Sequence, residues 1–276
     1  MNLFAGLEKF GFKSTEEVDL FADEKGSAKS AEDAAEKKAE EPKEEEFLLE
    51  KSIRCIVCDK VFKTKVVKSG RAKRLEPDAD LRPRHMYIDT LKYDASSCPN
   101  CGYTALNRYF EHLTSAQIRL VKEQVCCNFK AGVLSSEPTN DYDKAIEMHK
   151  LSLFNAMVKK AKTSEKAYNC LILSWLIRGK IETLDASNPE EKEKIEALRK
   201  EEETFYEQAY DGFMKAISTE MFPICGMAVM SMHFKKYDIA SKSLANVITS
   251  ASASRKIKDK ALELKEEIIK ELKQKK

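Results

Sequence analysis

Glycine, proline and long apolar runs are scarce in this sequence. Its 276 residues include nine glycines and seven prolines. This composition argues against a turn-rich all-β protein and excludes collagen-like and proline-rich chains. The apolar runs are short, and the one that begins at Cys170 ends before Ser174, whereas a membrane-spanning helix needs about 20 mainly apolar residues. The N-terminus also lacks the basic start and apolar centre of a secretory leader. We therefore expect a soluble, cytoplasmic protein that makes no contact with a membrane.

Charged side chains are abundant, at 34% of the chain, and their signs are unevenly distributed. Residues 1–46 contain fourteen acidic and seven basic side chains, whereas residues 47–112 contain eight acidic and thirteen basic ones. A change of sign of this kind is typical of a tail joined to a folded body. Residues 22–46 have almost no apolar side chains beyond alanine, so we expect an acidic disordered linker there.

Residues 1–21 differ from that linker because they carry apolar side chains at nearly helical spacing. We interpret this short apolar N-terminal segment as a helix that docks on the protein's own body. The alternative is a tethered recognition helix that binds a partner. The apolar residues that support both interpretations include Leu3, Phe4, Leu7, Phe10 and Phe12.

Two Cys-x-x-Cys pairs follow the tail. Cys55 and Cys58 form the first pair, Cys98 and Cys101 form the second, and 39 residues separate the two pairs. Each pair brings two thiolates onto one side of a tight turn, here called a knuckle, and two knuckles supply the four sulfurs of a tetrahedral zinc site. Asp59 takes the place of the usual glycine after the first pair, and aspartate tolerates the backbone conformation required there. We predict one structural Zn²⁺, with a redox-active pair or an iron–sulfur cluster as the alternatives.

The sequence disfavours catalysis. Four thiolates would occupy every position around a tetrahedral zinc ion, so no position remains for a reactive water. Neither a glycine-rich phosphate loop nor a local Ser/His/Asp signature occurs. Asp78 and Asp80 are interpreted as local ion-pair partners of Arg82 or Arg84, with a catalytic carboxylate pair as the alternative. We therefore expect a protein that is not an enzyme.

The remaining histidines and cysteines form no ligand pattern of their own. His85 is interpreted as a solvated loop residue, and His112, His149 and His233 lie far apart on predicted helices. The other four cysteines fall within apolar helical runs and are interpreted as buried small hydrophobic residues. They are Cys126, Cys127, Cys170 and Cys225.

Residues 47–103 are predicted to form a zinc-ribbon-like module with short strands. Alternation of side chains predicts a strand over Val61–Val67, and Gly70 suits a turn before a second short strand near Arg71–Leu75. Residues 104–276 are predicted to be helical. The predicted helices begin at or near Thr114, Asp141, Ser164, Asn188, Met221, Asp238 and Arg255, and two of them end near Gly132 and Gly179.

Two stretches within the helical part resemble each other. Tyr142 to Ala145 and Tyr237 to Ala240 each place an aromatic residue one position before an acid and three before an alanine, as at the turns into helices of tetratricopeptide repeats. The predicted fold class is therefore mainly α with a small β zinc ribbon, in which a four-cysteine zinc-ribbon-like module precedes tetratricopeptide-like helical hairpins. A generic helical bundle is the alternative.

Seven basic residues lie between Asp59 and Glu76 without an intervening acid. We interpret this basic face chiefly as a solvated surface or as one that binds an acidic partner, because two of its lysines alternate along a predicted strand. The alternative is contact with nucleic acid, in which these residues neutralise phosphates and nearby tyrosines stack on bases. The candidate contact residues are Lys63, Lys65, Lys68, Arg71, Lys73 and Arg74.

Six short motifs together form a recognisable set. They are Cys55-x-x-Cys58 with Phe62, Asp78-x-Asp80-Leu81-Arg82, Tyr93-Asp94, Cys98-Pro99-x-Cys101-Gly102-Tyr103, Trp175-Leu176-Ile177-Arg178 and Tyr237-Asp238-x-Ala240. With this set, the chain resembles the bacterial family known as domain of unknown function 2225 over roughly residues 51–267. Ile56 and Asp59 depart from the usual proline and glycine but leave the ligands intact. The resemblance implies a zinc-ribbon-like module on tetratricopeptide-like helices and no established activity.

These observations favour a zinc-binding scaffold or adaptor that binds another protein or a peptide through its helical domain, since stacked helix pairs form a concave surface. The alternative is a nucleic-acid-binding accessory or regulatory protein that uses the basic ribbon. Neither the identity of the partner nor the oligomeric state follows from the sequence.

Overall fold

The computed structural model describes residues 42–130, 138–220, 226–251 and 253–274, without the side chains of residues 219 and 220. Within these ranges the protein is mainly helical and has two small antiparallel sheets. The strands are β1 (Leu48–Arg54), β2 (Val61–Val67), β3 (Ala95–Ser97) and β4 (Thr104–Leu106). The α-helices are α1 (Ser115–Val121), α2 (Tyr142–Val158), α3 (Thr163–Glu182), α4 (Pro189–Glu220), α5 (Met227–His233), α6 (Tyr237–Thr249) and α7 (Arg255–Gln274).

Each sheet is a two-stranded hairpin that carries one knuckle at its turn. In the first hairpin Arg54 of β1 lies opposite Val61 of β2, so the chain between them forms the first knuckle. In the second hairpin Ser97 of β3 lies opposite Thr104 of β4. The strand predicted over Val61–Val67 has those bounds, and its Phe62 points into the core while its neighbours on either side are exposed.

The starts of three helices carry the caps that the sequence predicts. Thr114 and Gln117 form a reciprocal capping box before α1. The carboxylate of Asp141 caps α2, and the side chain of Asn188 accepts a hydrogen bond from the N–H of Glu190 in the first turn of α4. Such caps satisfy backbone N–H groups that have no partner within the helix, and each typically contributes about 1 kcal/mol.

The main core lies among helices α2 to α5, with α3 at its centre. Ile172 and Leu176 of α3 are fully buried there. Small residues let the helices approach closely, since a Cβ atom on Gly212 of α4 would lie only 2.8 Å from the Cβ of Ala167 in α3. A smaller cluster joins α5, α6 and α7 around Ala240. The tetratricopeptide-like description of these helices stays a prediction.

The second short strand predicted near Arg71–Leu75 does not form. In that stretch Arg74 makes an isolated bridge with His85 instead of a ladder. Pro77 and Pro83 lie in the intervening loop, and proline has no N–H with which to extend strand pairing. Side-chain ion pairs hold this loop in place, as described below.

The end of the predicted acidic linker is ordered. Residues Glu44–Phe47 form a 3-10 turn. The carboxylate of Glu44 pairs with Lys92 and accepts a hydrogen bond from the hydroxyl of Tyr93, at 2.7 and 2.9 Å. Glu44 thereby anchors the start of β1 to the segment before β3.

Some predictions lie outside the described residues. They concern the apolar N-terminal segment, residues 22–41 of the linker, the helix end at Gly132, the helix start at Met221 and the burial of Cys225. The module boundary at residue 103 stays a prediction, and strand β4 pairs with β3 across it. Among the helices in the described ranges, none is both long enough and apolar enough to span a bilayer.

Candidate metal centre

The two knuckles share one pattern of backbone hydrogen bonds. The N–H of Cys55 donates to the carbonyl of Lys60 at 2.9 Å, and the carbonyl of Cys55 accepts from the N–H of Asp59 at 2.8 Å. Cys98 makes the same two bonds with the residues five and four positions later, both at 2.9 Å. In each knuckle these bonds hold both thiols of the pair on the inner side of a tight turn.

The residue after each pair adopts a left-handed backbone conformation. The φ angle is 66° at Asp59 and 74° at Gly102. Asp59 is accommodated in this conformation, as its residue type predicts, and its exposed carboxylate pairs with Arg54. Gly102 has less freedom to change, because a Cβ atom there would lie 2.4 Å from the ring of Phe129. The second knuckle therefore needs glycine for two reasons, its φ angle and the close packing of Phe129.

The two knuckles bring four thiols together. The Sγ atoms of Cys55, Cys58, Cys98 and Cys101 all lie within 4.8 Å of one another. The Sγ distances from Cys55 to Cys101 and from Cys58 to Cys98 are both 3.6 Å. Four sulfurs arranged tetrahedrally at the zinc–sulfur bond length of about 2.3 Å would be separated by about 3.8 Å. The four cysteines could therefore hold a metal ion, and both the donor set and the spacing suit zinc.

The thiol cluster is enclosed by the protein. Cys55, Cys98 and Cys101 are buried, and Cys58 is half-buried. The enclosing side chains come from β2, from the segments on either side of β4, from α1 with the turn that follows it, and from α2. They are Phe62, Tyr103, Phe110, Val121, Val125 and Val158. The cluster is thus part of a core that the β-hairpins share with the helices.

Crowding of the thiols affects their protonation. Proximity to the thiols of Cys55 and Cys98, and then burial, raises the pKa of Cys101 well above that of a free thiol. Hydrogen bonds from Cys101 and Cys55 lower the pKa of Cys98. Neighbouring thiol protons therefore favour the thiolate form of Cys98. A divalent cation would replace those protons, so we expect metal binding to release protons and to weaken in acid.

Comparison with protein families gives a match over most of the chain. The model of domain of unknown function 2225, described as an uncharacterized protein conserved in bacteria, matches residues 48–268. The chain belongs to this family. The match spans both knuckles and most of the helices, and so agrees with the resemblance drawn from the six motifs. Comparison with curated proteins gives no match, and neither does comparison with solved structures.

Two of the family motifs contact each other away from the thiols. The carboxylate of Asp80 is buried and accepts hydrogen bonds from the indole N–H of Trp175 at 2.9 Å and from Arg178 at 2.8 Å. Arg178 also pairs with Glu202 of α4 at 2.7 Å. The local ion pair predicted for Asp80 is therefore wrong, because Arg178 lies 98 positions further along the chain. The carboxylate of Asp80 is satisfied by two side chains of α3.

Arg82 is the most deeply buried charge of this region, with 1% of its side chain exposed. Its guanidinium contacts the carboxylates of Glu182 at 3.0 Å, Asp89 at 3.3 Å and Asp78 at 3.9 Å. Arg84 pairs with Asp78 at 2.7 Å and with Glu182 at 2.6 Å, so the local pairing predicted for Asp78 is confirmed. We call these five residues, together with Asp80 and Arg178, the polar cluster.

The guanidinium of Arg82 packs against the backbone of α3 at Gly179. A Cβ atom on Gly179 would lie 2.7 Å from the guanidinium of Arg82 and 2.6 Å from the ring of Tyr142. Helix α3 continues three residues beyond the end predicted near Gly179, to Glu182. The glycine is needed because two side chains pack directly on the helix backbone.

The histidines form no ligand set with the four thiols in the described part of the chain. His85 is half-buried and bonds to the hydroxyl of Thr90 at 3.3 Å, which corrects the prediction of a solvated side chain. His149 is fully buried, and its Nδ1 donates to the carbonyl of Ala145 at 2.7 Å. Burial lowers the pKa of His149 to about 4, so it is neutral at pH 7.

The prediction of buried helical cysteines is partly wrong. Cys170 is buried as predicted, but Cys126 is half-buried and Cys127 is exposed. Helix α1 continues into a wider, π-helical turn, and Val121 and Val125 occupy its core side. In the sequence, the spacing of Val121 and Val125 indicates that these valines face the core. The cysteines that follow then lie at the edge of the core. Cys126 packs against the metal centre, a position that the cysteine spacing alone did not indicate.

The predicted basic face is partly paired with acids. Lys63 pairs with Glu50 across the first hairpin at 2.8 Å. Arg71 lies 3.8 Å from the carboxylate of Glu46, and Lys68 donates to the backbone carbonyl of Glu46 at 2.9 Å. These contacts support the interpretation of the face as a solvated surface, and they show that acids of this chain neutralise part of it.

Proposed function

We propose that this protein is a non-enzymatic, cytoplasmic scaffold in which zinc holds the β-hairpins and the helices bind another protein. The single observation that supports protein binding is a row of large apolar side chains exposed on α7. The metal would have a structural role, because four cysteines fill its tetrahedral shell and leave no position for substrate or reactive water. Reduced cysteines in a cluster of this kind suit a compartment in which disulfides are rare.

Helix α7 carries apolar side chains on two sides, one that packs against neighbouring helices and one that is exposed. Ala261 and Ile268 are buried against the adjacent helices, at 3% and 2% exposure. Leu262, Ile269 and Leu272 are 44–47% exposed. Leu262 and Ile269 are seven residues, or two helical turns, apart and so share one side of the helix.

The exposed row has the spacing with which a helix meets another helix. Full burial of a leucine or isoleucine side chain contributes about 1.5–3 kcal/mol, so a partner that covered the row would gain binding energy from it. Anchors at positions i, i+7 and i+10 suit an amphipathic helix or a helical groove on the partner. We therefore propose that the partner is a protein or peptide rather than a small molecule.

The test is affinity capture with full-length protein from the native bacterial host, with nuclease treatment throughout. The variant carries Leu262→Gln and Ile269→Gln. The control carries Leu49→Gln and Val61→Gln, which are 53% and 65% exposed on the first hairpin. We expect the α7 variant to lose a partner that the wild type and the control retain, at unchanged helical circular dichroism. Equal capture of the same proteins by all three would contradict the proposal.

Nucleic-acid binding is the competing outcome of that test. A second variant replaces Lys63, Lys65, Arg71 and Lys73 with glutamine, and none of these residues belongs to the thiol cluster. We expect it to keep the protein partner. Salt-sensitive binding of DNA or RNA by the wild type, abolished in this variant, would reverse the assignment, because phosphate contacts weaken steeply with salt.

A further inference from the structure

The exposed row of α7 lies between two edges of opposite charge. Counted from Leu262 at 3.6 residues per turn, Lys265 lies about 60° to one side of the row and Glu266 about 40° to the other. Two turns earlier, Lys258 lies on the side of Lys265, and Asp259 lies on the side of Glu266. We call the two lysines the basic edge of the row and the two acids its acidic edge.

The charges of both edges are available to another molecule. Both acids of the acidic edge are exposed, and in the basic edge Lys265 is exposed while Lys258 is half-buried. Within the described part of the chain, α7 makes an ion pair at its start, where Lys256 lies 3.7 Å from Glu76. None of the four edge residues has an ion-pair partner among the residues that the structure describes.

An apolar row with opposite charges on its two edges is complementary to a copy of itself. When two such helices lie parallel with their rows in contact, a two-fold axis between them brings the basic edge of each copy against the acidic edge of the other. Lys265 of one copy then lies level with Glu266 of the other, to within about one residue rise of 1.5 Å. In an antiparallel pair the basic edges would face each other, and like charges oppose association.

We propose that the exposed row of α7 binds the same row of a second copy of this chain, in a parallel two-fold dimer. The inference rests on the proposed function and deepens it, since it names the occupant of the surface proposed there. Two-fold dimers, in which one surface patch serves both subunits, are the commonest oligomers of soluble proteins. Burial of Leu262 and Ile269 would supply the attraction, and the charged edges would set the relative direction of the helices.

The first test measures the mass of the full-length protein by sedimentation velocity over a range of concentrations. The variant Leu262→Gln with Ile269→Gln removes the row, and Leu49→Gln with Val61→Gln is the matched control on the first hairpin. We expect the wild type and the control to sediment at about twice the monomer mass of 31.4 kDa. The α7 variant should sediment as a monomer with unchanged helical circular dichroism.

Charge reversal tests the direction of the two helices. Lys265→Glu and Glu266→Lys each convert two contacts between opposite charges into contacts between like charges, so each should raise the dissociation constant of the dimer by about tenfold. An equimolar mixture of these two variants should regain the wild-type dissociation constant, because opposite charges then face each other on both edges. Lys260→Glu is the control and should have no effect, since Lys260 lies about 160° around the helix from Leu262.

A wild type that stays monomeric, or an α7 variant that dimerises as tightly as the wild type, would overturn the inference. A mixture of the two charge variants that dimerises no more tightly than either alone would also overturn it. The capture experiment described above tests the proposed function separately. If α7 captures a different protein while the wild type stays monomeric, the proposed function stands and only the dimer is wrong. If α7-dependent capture retrieves untagged copies of this chain, the inference is supported.

Discussion

The metal centre links the two β-hairpins to each other, whereas the polar cluster links the loop between those hairpins to the helices. At the metal centre four thiols from two local turns converge, and a single cation would hold them. In the polar cluster Asp80 and Arg82 reach residues of α3 about 100 positions away through hydrogen bonds and ion pairs. The metal centre would therefore depend on one ion, whereas the polar cluster distributes its stabilisation over several partly buried contacts.

Removal of the metal should have the largest effect. Structural zinc contributes about 10–16 kcal/mol in small zinc-finger peptides at neutral pH. We expect chelation, or Cys98→Ser, to abolish hydrogen-exchange protection in β1 to β4 and to reduce it in α1, whose Val121 packs on the centre. Helices α6 and α7 should keep their protection. Cys170→Ser is the control, because Cys170 is a buried thiol of the helical core. Unchanged protection in the strands would contradict this role of the metal.

Loss of Arg82 should have the next largest effect. Arg82→Met leaves the carboxylates of Asp89 and Glu182 without their buried partner, and breaking a buried pair in this way typically costs about 3–5 kcal/mol. Urea denaturation followed by the fluorescence of Trp175, the single tryptophan, measures the change. Arg84→Met should cost less, since Arg84 shares two of the same acids but is more exposed. Zinc content should stay unchanged in both variants, and a loss of zinc on Arg82→Met would show that the two regions are coupled.

Gly179→Ala tests whether Arg82 packs on the backbone of α3. The sign of the change in the free energy of unfolding depends on that contact. In an exposed helix this change would stabilise the protein by about 1 kcal/mol, because alanine favours helix over glycine. Here the added methyl group would overlap Arg82 and Tyr142, and overpacking typically costs about 1–3 kcal/mol. We therefore expect a lower free energy of unfolding in urea. An increase would mean that the side chains do not pack on the helix backbone as described.

Glu182 should make the smallest contribution, and one that depends on pH. A hydrogen bond from Arg84, followed by the charge of Arg82, lowers the pKa of Glu182 below its ordinary value. A carboxylate with a lowered pKa stabilises the folded state above its unfolded pKa, and that stabilisation is lost as the pH falls through the folded pKa. Glu182 is part-exposed, so we expect Glu182→Gln to cost less than about 1 kcal/mol at pH 7.

The difference in unfolding free energy between the wild type and Glu182→Gln should shrink as the pH falls from 7 to below about 4, since the carboxyl of the wild type then becomes protonated. Urea denaturation at several pH values gives this difference directly. If the difference in unfolding free energy stayed constant over this pH range, the ion pair of Glu182 would not be its source.

The sequence predicted the convergence of the four thiols better than it predicted the polar cluster. The knuckles depend on backbone turns of six residues, so the spacing of Cys55 and Cys58 and the residue type at Asp59 carry most of the information. The bounds of β2 and the caps at Thr114 and Asp141 were equally local and were predicted correctly.

Contacts between distant residues could not be predicted in the same way. The motif of Asp80 favoured a neighbouring arginine, but burial against α3 offered Trp175 and Arg178 instead. The conformational freedom of Gly179 indicated a helix end, whereas the structure uses its lack of a side chain for close packing. Cys126 and Cys127 fall in an apolar run, and only the three-dimensional packing of α1 shows which of them lies beside the metal centre.

We expect the four cysteines to hold one zinc ion and to complete its coordination. Elemental analysis together with X-ray absorption at the zinc edge, on protein purified without chelators, tests this claim most directly. We predict one zinc per chain with four sulfur neighbours at about 2.3 Å, and loss of that signal when Cys55, Cys58, Cys98 or Cys101 is replaced by serine. Protein without zinc, or zinc bound by nitrogen or oxygen in place of these sulfurs, would contradict the account.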